Sequence, residues 1–415
     1  MELLNFLEKS PTAFHAVSNI RSLLASTGAQ ELYEDEYWDV EEGKTYYVVR
    51  NASAIIAFRV PHNAASFRFY AAHADSPVYK IKENPEMAVE NAYVKLNVEG
   101  YGGMIASSWF DRPLTVAGRV IIKRGNGFAS RLVNLCKDTL IIPNVAIHMN
   151  REINEGYKYN TQTDLLPLYG SISEKGTFMK RVAENAGVTE EDILGHDLYL
   201  VPKEKPLVWG PEGEFFSSPR IDDLECAFAG AKGFIEAEKE QHICVLSIFD
   251  NEEVGSGTRQ GAASTFLSDT LVRLMKALQK DETDLMRYIS GSFLASADNG
   301  HAVHPNHPEK TDPTNRPVLN GGVLLKYAAS QAYTTDGVSA AVFKDICRSA
   351  DIPFQIFFNR SDMRGGSTLG NISLRQVPVN SADIGLAQLA MHSSYETAGM
   401  KDFDYMTGFV KALFK

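Results

Sequence analysis

Residues 249–257 read FDNEEVGSG and follow directly on the apolar run ICVLSI at 243–248. Three carboxylates, Asp250, Glu252 and Glu253, therefore crowd the end of a stretch patterned as a buried strand. Like charges side by side repel, and burying them without partners is costly. Either something positive answers them or they stand in solvent. Other strand-like runs also end on such groups, with SFRFYAA leading into His73-Ala-Asp75 and GSFLASA into Asp298. Asp222 and Asp223 open a helical stretch after SSPRI, and His392 lies in GLAQLAMHSSYE.

Two histidines and several carboxylates, gathered by tertiary structure, suit divalent cations of hard-to-borderline character, zinc above all. Two such ions sharing a bridging carboxylate would sit about 3.5–4 Å apart and clamp an attacking water. Asp222, Glu253 and Asp298 bring negative charge, and neutral His73 and His392 complete the set. The adjacent Glu pair then has a use. One member ligates, while its neighbour takes a proton from water and returns it to a leaving group. Asp75, two residues from His73, is placed to accept the imidazole N–H and fix its tautomer.

Taken singly, each residue has a plainer use. Asp222 is a helix N-terminal acid favoured by the macrodipole, Asp298 caps a turn, and His392 closes a helix end. Spacing alone does not bring them together. His301, His304 and His307 in NGHAVHPNHPEK recur every third residue, but Pro305 and Pro308 argue against a helix presenting them on one face. They read as a loop near the site. YGGM and RGGSTLG match neither GxxxxGK[ST] nor GxGxxG, so nucleotide binding has little support.

These elements sit in a chain of 415 residues, 44% hydrophobic and 22% charged, the composition of a globular protein. A net charge of −11 argues against nucleic-acid binding, which needs a basic footprint. The opening MELLNFLEKSPTAFHAVSNI is acidic and has no long apolar core, so no signal peptide is expected. No run approaches the ~18 apolar residues of a membrane span. Cys136, Cys226, Cys244 and Cys347 form no CxxC pair, and buried free thiols in a cytoplasmic protein are expected.

The pattern along the chain is α/β. A helix is expected from Ser10-Pro11 to about Leu24, with strands at 53–60 and 66–73. Residues 79–210 carry short alternating runs (AYVKLNV, LTVAGRVIIK, DLYLVPK) between Gly, Asn and Lys clusters, the mark of an antiparallel β-rich insertion. From 217 onward helices at 222–240, 264–280 and 319–333 alternate with strands at 242–250, 290–298 and 353–359. The expected fold is a mixed, mostly parallel sheet flanked by helices. The catalytic domain would comprise 1–78 and 211–415, with the β-rich domain at 79–210.

The blocks AAHADSP, SSPRIDDL, DNEEVGS, SADNGHAVHPN, SDMRGGSTLG and AMHSSYE, in this order, resemble the M18 family of zinc aminopeptidases, related to aspartyl aminopeptidase. So do SWFDRPLTVAGRV and IPNVAIHMNREIN in the insertion, and FLEKSPTAFHAV near the start. The resemblance implies a zinc exopeptidase-like fold and removal of the N-terminal residue of peptides. It implies two Zn²⁺ per subunit, one completed by His73 and Asp298, the other by Glu253 and His392, with Asp222 bridging. Glu252 would be general base and acid, and Asp75 would orient His73. The β-rich insertion would mediate dimerisation, with dimers assembling into a tetrahedral dodecamer. His148 in AIHMNR would reach a neighbouring subunit's site and stabilise the oxyanion. Lys326 in GGVLLKYAAS would meet an acidic substrate side chain; its plainer use is as a solvated helix lysine.

Two other readings compete. The same metal site would serve a carboxypeptidase or deacylase, which an N-acetylated substrate distinguishes. A structural metal site would usually be a closed Cys/His shell, and this set is rich in carboxylates with a Glu to spare.

Overall fold

A computed structural model describes residues 1–238, 241–363, 365–366 and 368–415. The chain forms two compact units. One comprises Met1–Asp75, Pro206–Met391 and Glu396–Lys415, and the other Ser76–Lys205 with His392–Tyr395.

The first unit is built on a nine-stranded sheet. Its strands in chain order are β1 (Gln30–Leu32), β2 (Thr45–Arg50), β3 (Ala54–Arg59), β4 (Phe67–His73), β5 (Ile243–Phe249), β6 (Phe293–Ala297), β7 (Val323–Tyr327), β8 (Phe354–Phe358) and β9 (Asn380–Gly385). They lie in the order β1-β2-β3-β5-β4-β6-β9-β7-β8. The central run β5-β4-β6-β9 is parallel, as are β1-β2 and β7-β8, while the remaining pairs are antiparallel.

The apolar run ICVLSIF explains why β5 lies inside. Cys244, Leu246 and Ile248 enter one core, whereas Ile243, Val245 and Phe249 enter the other. A strand covered on both faces needs no polar alternation. β4 repeats the logic, with Tyr70 and Ala72 facing one core and Phe67, Phe69 and Ala71 the other.

Helices α1 (Glu2–Lys9), α2 (Ala13–Ser26), α3 (Ile221–Glu236), α6 (Gly337–Ser349) and α7 (Asp402–Leu413) cover the first face. The second is covered by α4 (Phe266–Ala277) and α5 (Glu282–Ser290). Several elements depart from the sequence expectation, among them the unexpected β2, β9, α5 and α6. A helix precedes Ser10-Pro11 as well as following it, since Leu3, Phe6 and Leu7 already give a buried stripe. Of the helix expected at 222–240, residues 239–240 lie outside the described set, as do Arg364 and Ser367 of RGGSTLG.

The helix expected at 319–333 is instead strand β7, which is the larger correction. A short run such as VLLKY reads equally as buried strand or buried helix. Gly322, at φ 101°, decides it: a Cβ there would stand 2.1 Å from the carbonyl oxygen of Pro353, so the chain enters β7 pressed against the start of β8.

On α2, His15 Nδ1 lies 2.9 Å from Thr12 Oγ1. Burial, aided by the Arg220 charge, pushes its pKa from 6.5 down to about 4. The folded state therefore keeps His15 neutral while the unfolded chain takes up a proton. The stability this contributes is full above the unfolded pKa and is lost as pH falls toward 4, at most roughly 3 kcal/mol. Denaturant melts at pH 8 and pH 5 should show the native chain losing about 1–3 kcal/mol more than His15→Gln on acidification. Equal losses would mean that His15 titrates normally in the fold.

The second unit carries a six-stranded antiparallel sheet in the order Gly127–Asn134, Leu114–Arg124, Ile193–Pro202, Val78–Val89, Tyr93–Tyr101, Leu168–Ser171. Trp109, Tyr79, Leu198 and Phe178 lie in its own core. No helix among the described residues is long and apolar enough to cross a membrane.

Candidate active site

Strands β4, β5 and β6 run parallel, with Phe249 beside His73. The segments leaving their carboxyl ends therefore emerge together, where open α/β sheets place their ligands. β4 ends on His73, β5 delivers Asp250 to Glu253, and β6 delivers Asp298. Asp222 lies at the start of α3. Its backbone is not yet helical (φ −75°, ψ 113°), and the Asp222–Asp223 peptide is cis.

His73 Nε2 lies 3.4 Å from Asp222 Oδ1 and 3.8 Å from Asp298 Oδ1. Ligands about 2.0–2.1 Å from a tetrahedral zinc stand roughly 3.4 Å from one another, so this donor set fits the ion. His73, Asp222 and Asp298 form one group whose ligand atoms all lie within 4.8 Å, and His73, Glu252 and Glu253 form another. Both groups mix one imidazole with carboxylates, as borderline divalent cations prefer.

Asp75 answers the question of how the acidic turn is held. Its Oδ1 accepts the backbone N–H of Glu252 and its Oδ2 that of Glu253, each at 3.1 Å. The turn Glu252–Val254 is a short 3₁₀ helix entered through Asn251 at φ 61°. His73 Nδ1 lies 3.1 Å from the Asp75 carbonyl and 3.4 Å from its carboxylate, so the nearer partner of the imidazole is the backbone. Asp223 accepts the N–H of His73 itself at 3.1 Å.

Charge is concentrated here. Burial works against the His73 imidazolium, but Asp222, Asp298 and Asp75 together hold its pKa well above the ordinary histidine range. Burial first, and then Asp298, Glu253 and Asp75, push half-buried Glu252 up to about 9, against the pull of His73. Burial also raises Asp223 strongly. Positive charge placed among these groups reverses that push.

Lys326 is neither helical nor solvated. It lies on β7, 1% exposed, with Nζ 2.9 Å from the Asn299 carbonyl and 3.6 Å from Asp298 Oδ2. The two remaining predicted residues fall in the second unit. His148 lies on an exposed turn, and His392, at φ 64°, has its carbonyl oxygen 3.0 Å from the N–H of Ile105. The chain arrives at His392 from the strand Ala387–Leu389. Of the three loop histidines, His304 and His307 pack ring to ring at 5.4 Å on the exposed loop. Sequence reasoning missed Glu396, whose buried carboxylate Oε2 accepts the N–H groups of Ile221 and Asp222. Its signal was an acid inside the otherwise uncharged stretch YETAGM.

A mixed α/β sheet with His and carboxylate groups that could hold a metal at its parallel strand ends is the architecture of a metal-dependent exopeptidase. The chain belongs to the M18 family: residues 6–414 match the model of the aminopeptidase I zinc metalloproteases, and the protein is an aminopeptidase. A Clostridium novyi (strain NT) protein described as a probable M18 family aminopeptidase 2 is 49% identical over 97% of this chain and 95% of its own length. A Clostridium acetobutylicum protein of the same description is 44% identical over 98% of this chain and 96% of its own. Among solved structures, a chain from the Ape4 and Nbr1 complex superposes with TM-score 0.96 at 32% identity, covering all of this chain and 84% of that one. The S. cerevisiae mApe1 dodecamer gives TM-score 0.88 at 28% identity, covering 100% of this chain and 95% of that one.

Proposed function

We propose that this aminopeptidase works through a pair of zinc ions. His73 and Asp298 would hold one, Glu253 and His392 the other, with Asp222 shared between them. The observation that carries this reading is the convergence of His73, Asp222 and Asp298, with spacings of 3.4 and 3.8 Å between imidazole and carboxylates. When bound, the metal pair supplies Lewis acidity for the attacking water and for the scissile carbonyl. Glu252 takes the water's proton and passes it to the leaving amine. Asp75 holds Glu252 and Glu253 by their N–H groups with its carboxylate, and its backbone carbonyl, 3.1 Å from His73 Nδ1, keeps the His73 tautomer fixed.

In the same reading, His148 of a neighbouring subunit stabilises the oxyanion. The β-rich unit pairs subunits into dimers, and the dimers build a tetrahedral dodecamer. Phe128 and Met149, 73% and 82% exposed, offer apolar contact on that unit. The four cysteines are all free, which suits a cytoplasmic protein, although Cys136 is exposed where burial was expected.

The finer reading is a preference for acidic N-terminal residues through Lys326. Lysine carries three donors, and Asn299 and Asp298 face the ammonium on two sides. The remaining donor is the one assigned to a substrate carboxylate.

Metal analysis of freshly purified protein, combined with a panel of aminoacyl chromogenic substrates, tests all of this. The expected result is two zinc ions per chain, turnover of free-amine substrates and none of their N-acetylated forms. A charge-assisted hydrogen bond from Lys326 should favour Asp and Glu over neutral residues by about 10–100-fold, and Lys326→Met should erase the difference. Turnover of acetylated substrates at a similar rate would overturn the aminopeptidase geometry. A flat panel would remove only the acidic preference.

A further inference from the structure

Asp222 is asked to be a shared ligand, and its backbone lies outside helix geometry, at φ −75° and ψ 113°. The groups that hold this backbone bear on the direction of its side chain. Glu396 lies in the strand Glu396–Gly399, paired antiparallel with Phe215–Ser218, so that it stands opposite Ser218 just before the Pro219–Asp223 segment. It is 2% exposed. Its Oε2 accepts two consecutive backbone donors, Ile221 N–H at 2.7 Å and Asp222 N–H at 3.1 Å. Its Oε1 lies 3.4 Å from Gln388 Nε2, and Gln388 is itself buried. The Arg220 guanidinium, buried and donating to the carbonyls of Ser10 and Leu7, supplies a nearby positive charge.

Two N–H vectors from adjacent residues converging on one oxygen fix the peptide plane between them. That plane carries the Cα of Asp222 and hence the origin of its side chain. We propose that Glu396 is a positioning residue for Asp222: it orients the bridging carboxylate by gripping the backbone on its amino side and does not itself touch metal or substrate. This rests on Asp222 being a metal ligand. It assigns Glu396 a second role beyond that of counter-charge to Arg220, and the two roles make opposite demands on substitution.

Glu396→Gln removes the charge and keeps an acceptor oxygen at the same reach. Glu396→Asp keeps the charge and draws the oxygens back by one methylene. If position governs, the Asp variant should lose Zn²⁺ affinity by about 10–100-fold in chelator competition, the usual cost of removing a partner that orients a ligand. The Gln variant should stay within about 3-fold of the native protein by the same rule. The visible spectrum of the Co²⁺-loaded Asp variant should shift, since the ligand field at the metal changes. In both variants kcat should follow metal occupancy while KM stays near the native value. A Gln variant impaired as much as or more than the Asp variant would overturn the proposal in favour of a charge role. Native affinity in the Asp variant would overturn it outright. Should the native protein bind no Zn²⁺, the dizinc reading itself fails, which is a different result from normal binding in both variants.

Discussion

Glu252→Gln should lower kcat by about 10²–10⁴-fold, the usual contribution of a positioned acid–base group, while KM and zinc content stay unchanged. The amide keeps the shape and cannot take the proton. Glu253→Ala should do the reverse in order of events: zinc is lost first, and activity follows occupancy. Neighbouring residues can divide the work this way because of how the turn is built. In a 3₁₀ turn successive side chains project about 120° apart. Asp75 then locks that turn by accepting the N–H of Glu252 on one oxygen and of Glu253 on the other. One carboxylate can reach a metal while the other faces the substrate side. Steady-state kinetics with zinc quantified on the same samples checks both halves. A Gln variant retaining more than a tenth of native kcat would remove Glu252 from its role, and a Glu253→Ala protein with full zinc would remove Glu253.

Much of this centre could be read from residue order because its logic is that of strand ends. His73, the acidic turn and Asp298 each follow a short apolar run, and a parallel sheet brings such ends together without any local signal. The strand ICVLSIF was equally plain, since a strand buried on both faces shows a continuous apolar run. What escaped was contact with the backbone. Asp75 grips peptide N–H groups of the turn, Asp223 grips that of His73, and Glu396 grips those of Ile221 and Asp222. Any residue supplies an N–H, so such pairings leave no mark on residue types. Lys326 misled for a different reason. A lysine suggests solvent, but this one lies in the interior, beside Asp298 and the Asn299 carbonyl.

Gly385→Ala should damage the site from behind. Gly385 ends β9, which lies parallel to β6 and antiparallel to β7. The N–H of Asp298 donates to the Ile384 carbonyl at 3.2 Å, which ties the Asp298 backbone to β9 one residue earlier. A Cβ on Gly385 would stand 1.9 Å from the Asp298 carbonyl oxygen and 3.0 Å from Lys326 Cε. Backbone against backbone has no rotamer to escape into, so either the Asp298 peptide turns away or β9 separates from β6. The expected cost is about 3 kcal/mol or more in stability, at the upper end for overpacking. With Asp298 as the proposed ligand, zinc affinity should fall with it, because the carboxylate moves with its peptide. Leu325→Ala is the control for instability alone. It opens a cavity at a fully buried core position on neighbouring β7, costing about 2–5 kcal/mol. If loss of metal merely follows loss of stability, both variants will lose zinc alike. If Asp298 is the ligand and Gly385 the contact that lets it stand there, chelator competition on the folded proteins will separate them, with Leu325→Ala binding normally and Gly385→Ala weakened by at least about 10-fold.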